Sequence, residues 1–123
     1  MSGPALIAVI EDDQSFRPAL VESLLSFGYD VHDFASAEEF IHSDLPVRYG
    51  CIVTDVHLTG MSGIDLKMLL ASRGIDVPVI MITARSDSGL EDRALASGAT
   101  CLLSKPFESS ALVACLEKAL GIR

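Results

Sequence analysis

Residues 51–63, CIVTDVHLTGMSG, place an apolar run, an aspartate and a glycine-rich turn in that order. Cys51–Thr54 is too short for a helix and lacks the polar alternation of a half-exposed strand, so it reads as a strand buried on both faces. It runs straight into Asp55. The loop 55–63 follows, and Ser62 with Asp65 forms a capping pair that opens a helix from Gly63 to about Ser72. The buried face of that helix is expected at Ile64, Met68 and Leu69 or nearby positions.

Outward from this segment the same grammar repeats. Ala5–Ile10 (ALIAVI) is a continuous apolar run ended by Glu11-Asp12-Asp13. Ser15 to Phe27 puts Phe16, Leu20, Leu24 and Phe27 at helical spacing before Gly28, with Pro18 in the first turn where its missing N–H costs little. Tyr29–Phe34 is a weaker strand. Ser36 and Glu39 form a capping box for a helix through about Ser43, and Pro46 and Gly50 punctuate the loop after it. Val77–Ile82 is a strand ending at Thr83, and Ser86 to Ser97 a helix stopped by Gly98. Thr100–Leu103 is the fifth strand, before Ser104-Lys105-Pro106. Glu108 to Leu120 is a helix with Leu112, Leu116 and Leu120 on one face. Nearly all-apolar strands alternating with helices imply an α/β fold: one parallel sheet covered by helices on both sides.

The 123 residues suit one domain, 1–123, and half of them are hydrophobic, enough for a core. Seventeen acids against nine Lys and Arg give a net charge of −8, which argues against direct nucleic-acid binding or attachment to an anionic membrane. Cys51, Cys101 and Cys115 are odd in number and widely spaced, with no CxxC, and read as small buried thiols. His32 and His42 read as surface residues, and Met61, Met68 and Met81 as core filler. No apolar run reaches membrane-spanning length and Met1 to Ala5 has no signal-peptide pattern, so the expectation is a cytoplasmic protein.

In open parallel sheets ligands sit at the carboxyl ends of the strands. Here those ends carry Glu11-Asp12-Asp13, Asp55, Thr83 and Lys105. Each close pair of like charges costs up to about 4 kcal/mol at a moderate dielectric, and Lys105 alone is too little for Glu11, Asp12 and Asp55 together. A divalent cation is the natural remainder. The donors are hard oxygens, so Mg2+ fits, Mn2+ can substitute, and Zn2+ does not suit them. An aspartate beside Mg2+, a lysine and a threonine hydroxyl is arranged to accept a phosphoryl group. No GxxxxGK or GxGxxG follows a strand, which disfavours a flavin or nucleotide binder of the same architecture.

VIEDD (9–13), IVTDVHLTGMSG (52–63), MITAR (81–85) and SKPF (104–107), in order and each at a strand end, resemble the receiver domains of two-component response regulators. The resemblance covers essentially the whole chain. It implies a flavodoxin-like (βα)5 fold with strand order 2-1-3-4-5. It implies Asp55 as the phosphoacceptor, Thr83 as the switch hydroxyl, Lys105 as the phosphate-binding lysine and a cis Lys105–Pro106 bond. For Mg2+ it implies Glu11, Asp12 and Asp55, with Asp12 a direct ligand and His57 contributing its backbone carbonyl while its imidazole faces solvent. Asp13 is left as a helix N-cap or dipole partner. Implied partners are a histidine kinase or a histidine phosphotransfer protein. The resemblance also leaves room for a homodimer formed on phosphorylation. The domain would catalyse only its own phosphotransfer and dephosphorylation. GMSG (60–63) and KPFE (105–108) look most like regulators with a helix-turn-helix DNA-binding output (FixJ-like), which would lie outside these residues. Three positions depart from the family's common pattern: Thr59 stands for proline, Leu102 for an aromatic, and Glu11 for aspartate. The alternative is a degenerate receiver acting as a constitutive protein-interaction module.

Overall fold

The computed structural model describes residues 4–43, 48–85 and 89–121. Its elements in chain order are β1 (Leu6–Ile10), α1 (Phe16–Ser26), β2 (Asp30–Phe34), α2 (Ala37–Ile41), β3 (Cys51–Asp55), α3 (Gly63–Ser72), β4 (Val79–Thr83), α4 (Leu90–Ala96), β5 (Cys101–Ser104) and α5 (Ser109–Leu120). The five strands form one parallel sheet in the order 2-1-3-4-5, as the resemblance implies. Every residue of β3 and β4 is buried, whereas edge strand β2 is half exposed.

Two apolar layers flank the sheet. Ile7, Val9, Cys51, Val53, Ile80 and Ile82 face Leu20 and Leu24 of α1 and Leu112 and Leu116 of α5. Ala8, Ile10, Ile52 and Met81 face Phe40 of α2, Leu66 and Leu70 of α3, and Leu90 and Ala94 of α4. This doubly covered sheet is what the unbroken apolar strands required.

The expected buried face of α3 is corrected. Leu66, Lys67 and Leu70 are buried, Ile64 and Leu69 only partly, and Met68 is 59% exposed. Ile64, Leu66, Met68, Leu69 and Leu70 ring the helix almost completely, so spacing alone leaves its rotation open. Gly63 settles it: its N–H donates to the Val56 carbonyl at 3.0 Å, and a Cβ there would lie 2.5 Å from the Asp55 carbonyl oxygen. Lys67 is buried through its stem, which packs against Gly98. Of the other methionines, Met81 is core and Met61 is partly buried against it.

Helix starts differ by a few residues. α1 begins at Phe16, and Asp13 rather than Ser15 caps it, its Oδ1 accepting from the Ser15 and Phe16 amides at 2.8 and 3.1 Å. Those bonds hold the Asp13 carboxyl below its ordinary range. The capping box of Ser36 and Glu39 is present: the Ser36 hydroxyl accepts from the Glu39 amide and the Glu39 carboxylate from the Ala35 amide. α4 begins at Leu90; Ser86, expected to open it, and Pro46 lie outside the described residues. Cys51 and Cys115 are buried and Cys101 partly so, and all three are free thiols. Burial pushes the Cys51 and Cys115 thiols up to about 12. No helix among the described residues is long and apolar enough to cross a membrane.

Candidate functional site

The sheet register aligns the strand ends. Ile10 pairs with Thr54, Asp55 with Ile82, and Thr83 with Ser104. Backbone bonds continue the ladder one step further: Glu11 N–H donates to Phe34 O at 3.0 Å, Val56 N–H to Ile82 O at 2.8 Å, and Lys105 N–H to Thr83 O at 2.7 Å. The side chains of Glu11, Asp55, Thr83 and Lys105 are thereby delivered to one edge by backbone geometry, as the strand-end reading expects.

Glu11, Asp12 and Asp55 each offer an oxygen within 4.8 Å of the others. Glu11 is 1% exposed and Asp55 8%. Lys105 Nζ reaches Glu11 Oε1 at 3.1 Å and Asp55 Oδ2 at 3.5 Å. The other Glu11 oxygen accepts from the Asp13 amide at 3.0 Å. Burial, then the nearby Asp55 charge, push the Glu11 carboxyl above its ordinary range against the pull of the Asp13 amide and Lys105. Burial pulls Lys105 down, but its bonds and charge contacts with Glu11 and Asp55 outweigh that, and its net shift is upward. The Lys105 ammonium lies 4.1 Å from the centre of the Phe16 ring, whose edge-to-face partner is Phe107. The peptide bond Lys105–Pro106 is cis.

Three carboxylates with one lysine leave two negative charges in excess. The converging donors are all carboxylate oxygens, without thiolate or imidazole. This chemistry suits Mg2+ or Mn2+.

Thr83, 1% exposed, has its hydroxyl occupied: it donates to Arg85 O at 2.8 Å and accepts from Arg85 N–H at 3.0 Å. The Asp55 side chain is itself steadied by the His57 amide, which donates to Oδ1 at 3.3 Å. The imidazole of His57 departs from expectation. The residue is only partly buried, but Nε2 is shut away from solvent with no hydrogen-bond partner among the described residues. His57 lines a hollow with Leu58 of the same turn, Ile64 and Asp65 of α3, and Leu90 and Arg93 of α4.

Several supporting contacts carry no sequence signal. Arg17 on α1 donates through Nη1 to the Glu11 carbonyl at 2.8 Å and through Nε to Asp33 Oδ2 at 3.2 Å, tying β1 to β2 at the site. Thr59 donates its amide and its hydroxyl to Asp12 Oδ2, at 3.0 and 3.1 Å. Glu38 on α2 accepts from the Met61 amide at 2.8 Å. Only Gly63, in a glycine-rich turn, had a local signal.

Comparison with known proteins gives the same reading. Residues 7–117 match the family model "Response regulator receiver domain". Nodulation protein W of Bradyrhizobium diazoefficiens is 40% identical over 112 residues, 91% of this chain and 49% of that protein. The transcriptional regulatory protein FixJ of Azorhizobium caulinodans is 38% identical over 115 residues, 94% of this chain and 54% of that protein. The chain thus spans about half the length of these curated relatives. Among solved structures, the FixJ-N crystal structure superposes with a TM-score of 0.89 at 30% identity, covering 98% of this chain and 96% of that one. The response regulator StyR gives 0.88 at 36% identity, covering 97% and 60%. The chain therefore belongs to the response regulator receiver domain family.

Proposed function

We propose that Asp55 accepts a phosphoryl group from the phosphohistidine of a histidine kinase or histidine phosphotransfer protein. The observation that carries this is the Asp55 carboxylate itself, at the end of a fully buried strand, 3.5 Å from the Lys105 ammonium and grouped with Glu11 and Asp12. An Asp55 oxygen attacks phosphorus, the P–N bond to the donor imidazole breaks, and the electron pair leaves on that nitrogen. Lys105 shifts from Glu11 towards the phosphoryl oxygens and offsets their charge. Thr83 exchanges its Arg85 backbone bonds for a bond to the new phosphate, so phosphorylation reaches the β4–α4 turn.

Asp12 and Asp55 would hold Mg2+ (or Mn2+) directly, with the His57 carbonyl beside them. Both Glu11 oxygens are already bonded to protein, which suits contact through water. When bound, the cation neutralises charge on the transferring phosphoryl group. The domain acts as a switch that catalyses only its own phosphotransfer and dephosphorylation. Two relatives are named a nodulation protein and a transcriptional regulatory protein, and this chain matches about half the length of each. We read this as a receiver coupled to a DNA-binding output domain outside these residues, with a phosphorylation-dependent homodimer as one mode of coupling.

The test is intact-mass spectrometry after acetyl phosphate with and without Mg2+. One added phosphoryl group, dependent on Mg2+ and absent from Asp55→Asn, is expected. Equal labelling of wild type and Asp55→Asn would reject the assignment. An unlabelled wild type would point instead to a constitutive interaction module.

A further inference from the structure

We propose that Thr59 is a positioning residue for the cation site and acts through Asp12; this rests on the Mg2+ reading above. Thr59 gives both its amide and its hydroxyl to a single carboxylate oxygen, Asp12 Oδ2, at 3.0 and 3.1 Å. Asp12 Oδ1 has no hydrogen bond from any described protein group. The carboxylate is therefore gripped through one oxygen, which leaves the other free of protein donors, and Asp12 stays within the 4.8 Å grouping with Glu11 and Asp55.

The grip is effective only if Thr59 is itself fixed, and the loop around it is tied on both sides. Next to Thr59, Gly60 has φ +86, and the Glu38 carboxylate of α2 lies so close that a Cβ at Gly60 would be 2.7 Å from it. The same carboxylate takes the Met61 amide at 2.8 Å. The Glu38 carboxyl is held below its ordinary range mainly by that amide, so it stays an ionised acceptor at neutral pH. At the end of the loop, the Gly63 amide is pinned to Val56 O at 3.0 Å. The donors on Thr59 thus belong to a loop tied to α2 and closed on Val56, whose own amide is bonded to Ile82 O of β4. A half-exposed aspartate without them would have its rotamers free to swing into solvent, and ordering it again would weigh against cation binding. Outer residues that orient a metal-ligating side chain commonly change affinity by about 10–100-fold.

The test is isothermal titration of Mg2+ alone into the chelator-stripped 123-residue chain, for wild type, Asp12→Asn, Thr59→Ser, Thr59→Val and Thr59→Pro. Thermal unfolding of each metal-free variant establishes that it is folded. Thr59→Pro, which removes the N–H and the hydroxyl, is expected to weaken Mg2+ binding about tenfold, at the lower end of that range because Thr59 is solvent-exposed. Thr59→Val, which removes the hydroxyl alone, is expected to give an intermediate loss, and Thr59→Ser wild-type affinity. If proline disrupts the fold, the contrast between Val and Ser decides. Wild-type or tighter affinity in the folded Val and Pro variants overturns the role of Thr59 and leaves the cation site standing. A wild type that takes up no Mg2+, or an Asp12→Asn variant that binds as well as wild type, overturns the cation site itself.

Discussion

Gly63→Ala tests how tightly the turn after Asp55 is built. Gly63 is the first residue of α3, and its helical backbone is open to any L-residue, so the cost is steric. An added Cβ would meet the Asp55 carbonyl oxygen at 2.5 Å, the Thr54 methyl at 3.1 Å and the Asp55 carbonyl carbon at 3.3 Å. Ordinary contacts begin near 3.4 Å, and the nearest atom is backbone that no rotamer change can move. The helix cannot slide away, because the Gly63 amide is bonded to Val56 O at 3.0 Å. Overpacking of this kind costs about 1–3 kcal/mol. Alanine's helix propensity returns up to about 1 kcal/mol. Contact at 2.5 Å with backbone puts this site in the upper part of that range, about 2–3 kcal/mol, so with about 1 kcal/mol returned the net is a loss of about 1–2 kcal/mol, and at about 4 °C per kcal/mol for a chain of this size Tm should fall by about 4–8 °C. Circular dichroism melting of the metal-free proteins reads this directly. Because the displaced atoms belong to Asp55, slower labelling by acetyl phosphate should accompany the fall. An unchanged or higher Tm would refute the reasoning, since it would mean that α3 does not press on the Asp55 peptide.

Glu11→Gln should reverse a pH-dependent weakness. The folded Glu11 carboxyl is raised by burial and by Asp55, so its stabilising contribution is complete below the ordinary value of 4.5 and is lost as pH rises through the folded value. In chelator, the variant's Tm minus that of wild type should therefore grow from about pH 4 to about pH 8, and a difference that shrinks would contradict the assignment. Thr83→Ala removes both bonds to Arg85, so a loss of about 1 kcal/mol in denaturant titrations is expected with phosphoryl uptake retained. Loss of uptake would place Thr83 in the transfer step itself. With their thiols pushed up to about 12 and buried, Cys51 and Cys115 should resist iodoacetamide at pH 8 in the native protein and react in denaturant, as peptide mass spectrometry would show.

The fold was legible because β1 and β4 are apolar at nearly every position and β3 through its first three, a pattern that a doubly covered parallel sheet satisfies. The site was legible for a related reason. A charged residue immediately after such a strand has its place set by the sheet register, so Glu11, Asp55, Thr83 and Lys105 could be grouped without coordinates. What escaped lies where tertiary contacts decide. The rotation of α3 depends on Gly63 seating against Asp55, and a helix apolar almost all round gives no signal of it. The imidazole of His57 follows a turn whose path no periodicity encodes. The bonds of Thr59 to Asp12, Arg17 to Glu11 and Glu38 to Met61 join residues far apart in sequence or of types that are ordinarily solvated.

The most direct measurement is borohydride trapping of the acyl phosphate followed by peptide mapping. An aspartyl phosphate is reduced to homoserine, so the modified residue identifies itself. After acetyl phosphate and Mg2+, homoserine is expected at position 55 alone. Homoserine at position 12, or at any other carboxylate with position 55 intact, would contradict Asp55 as the acceptor.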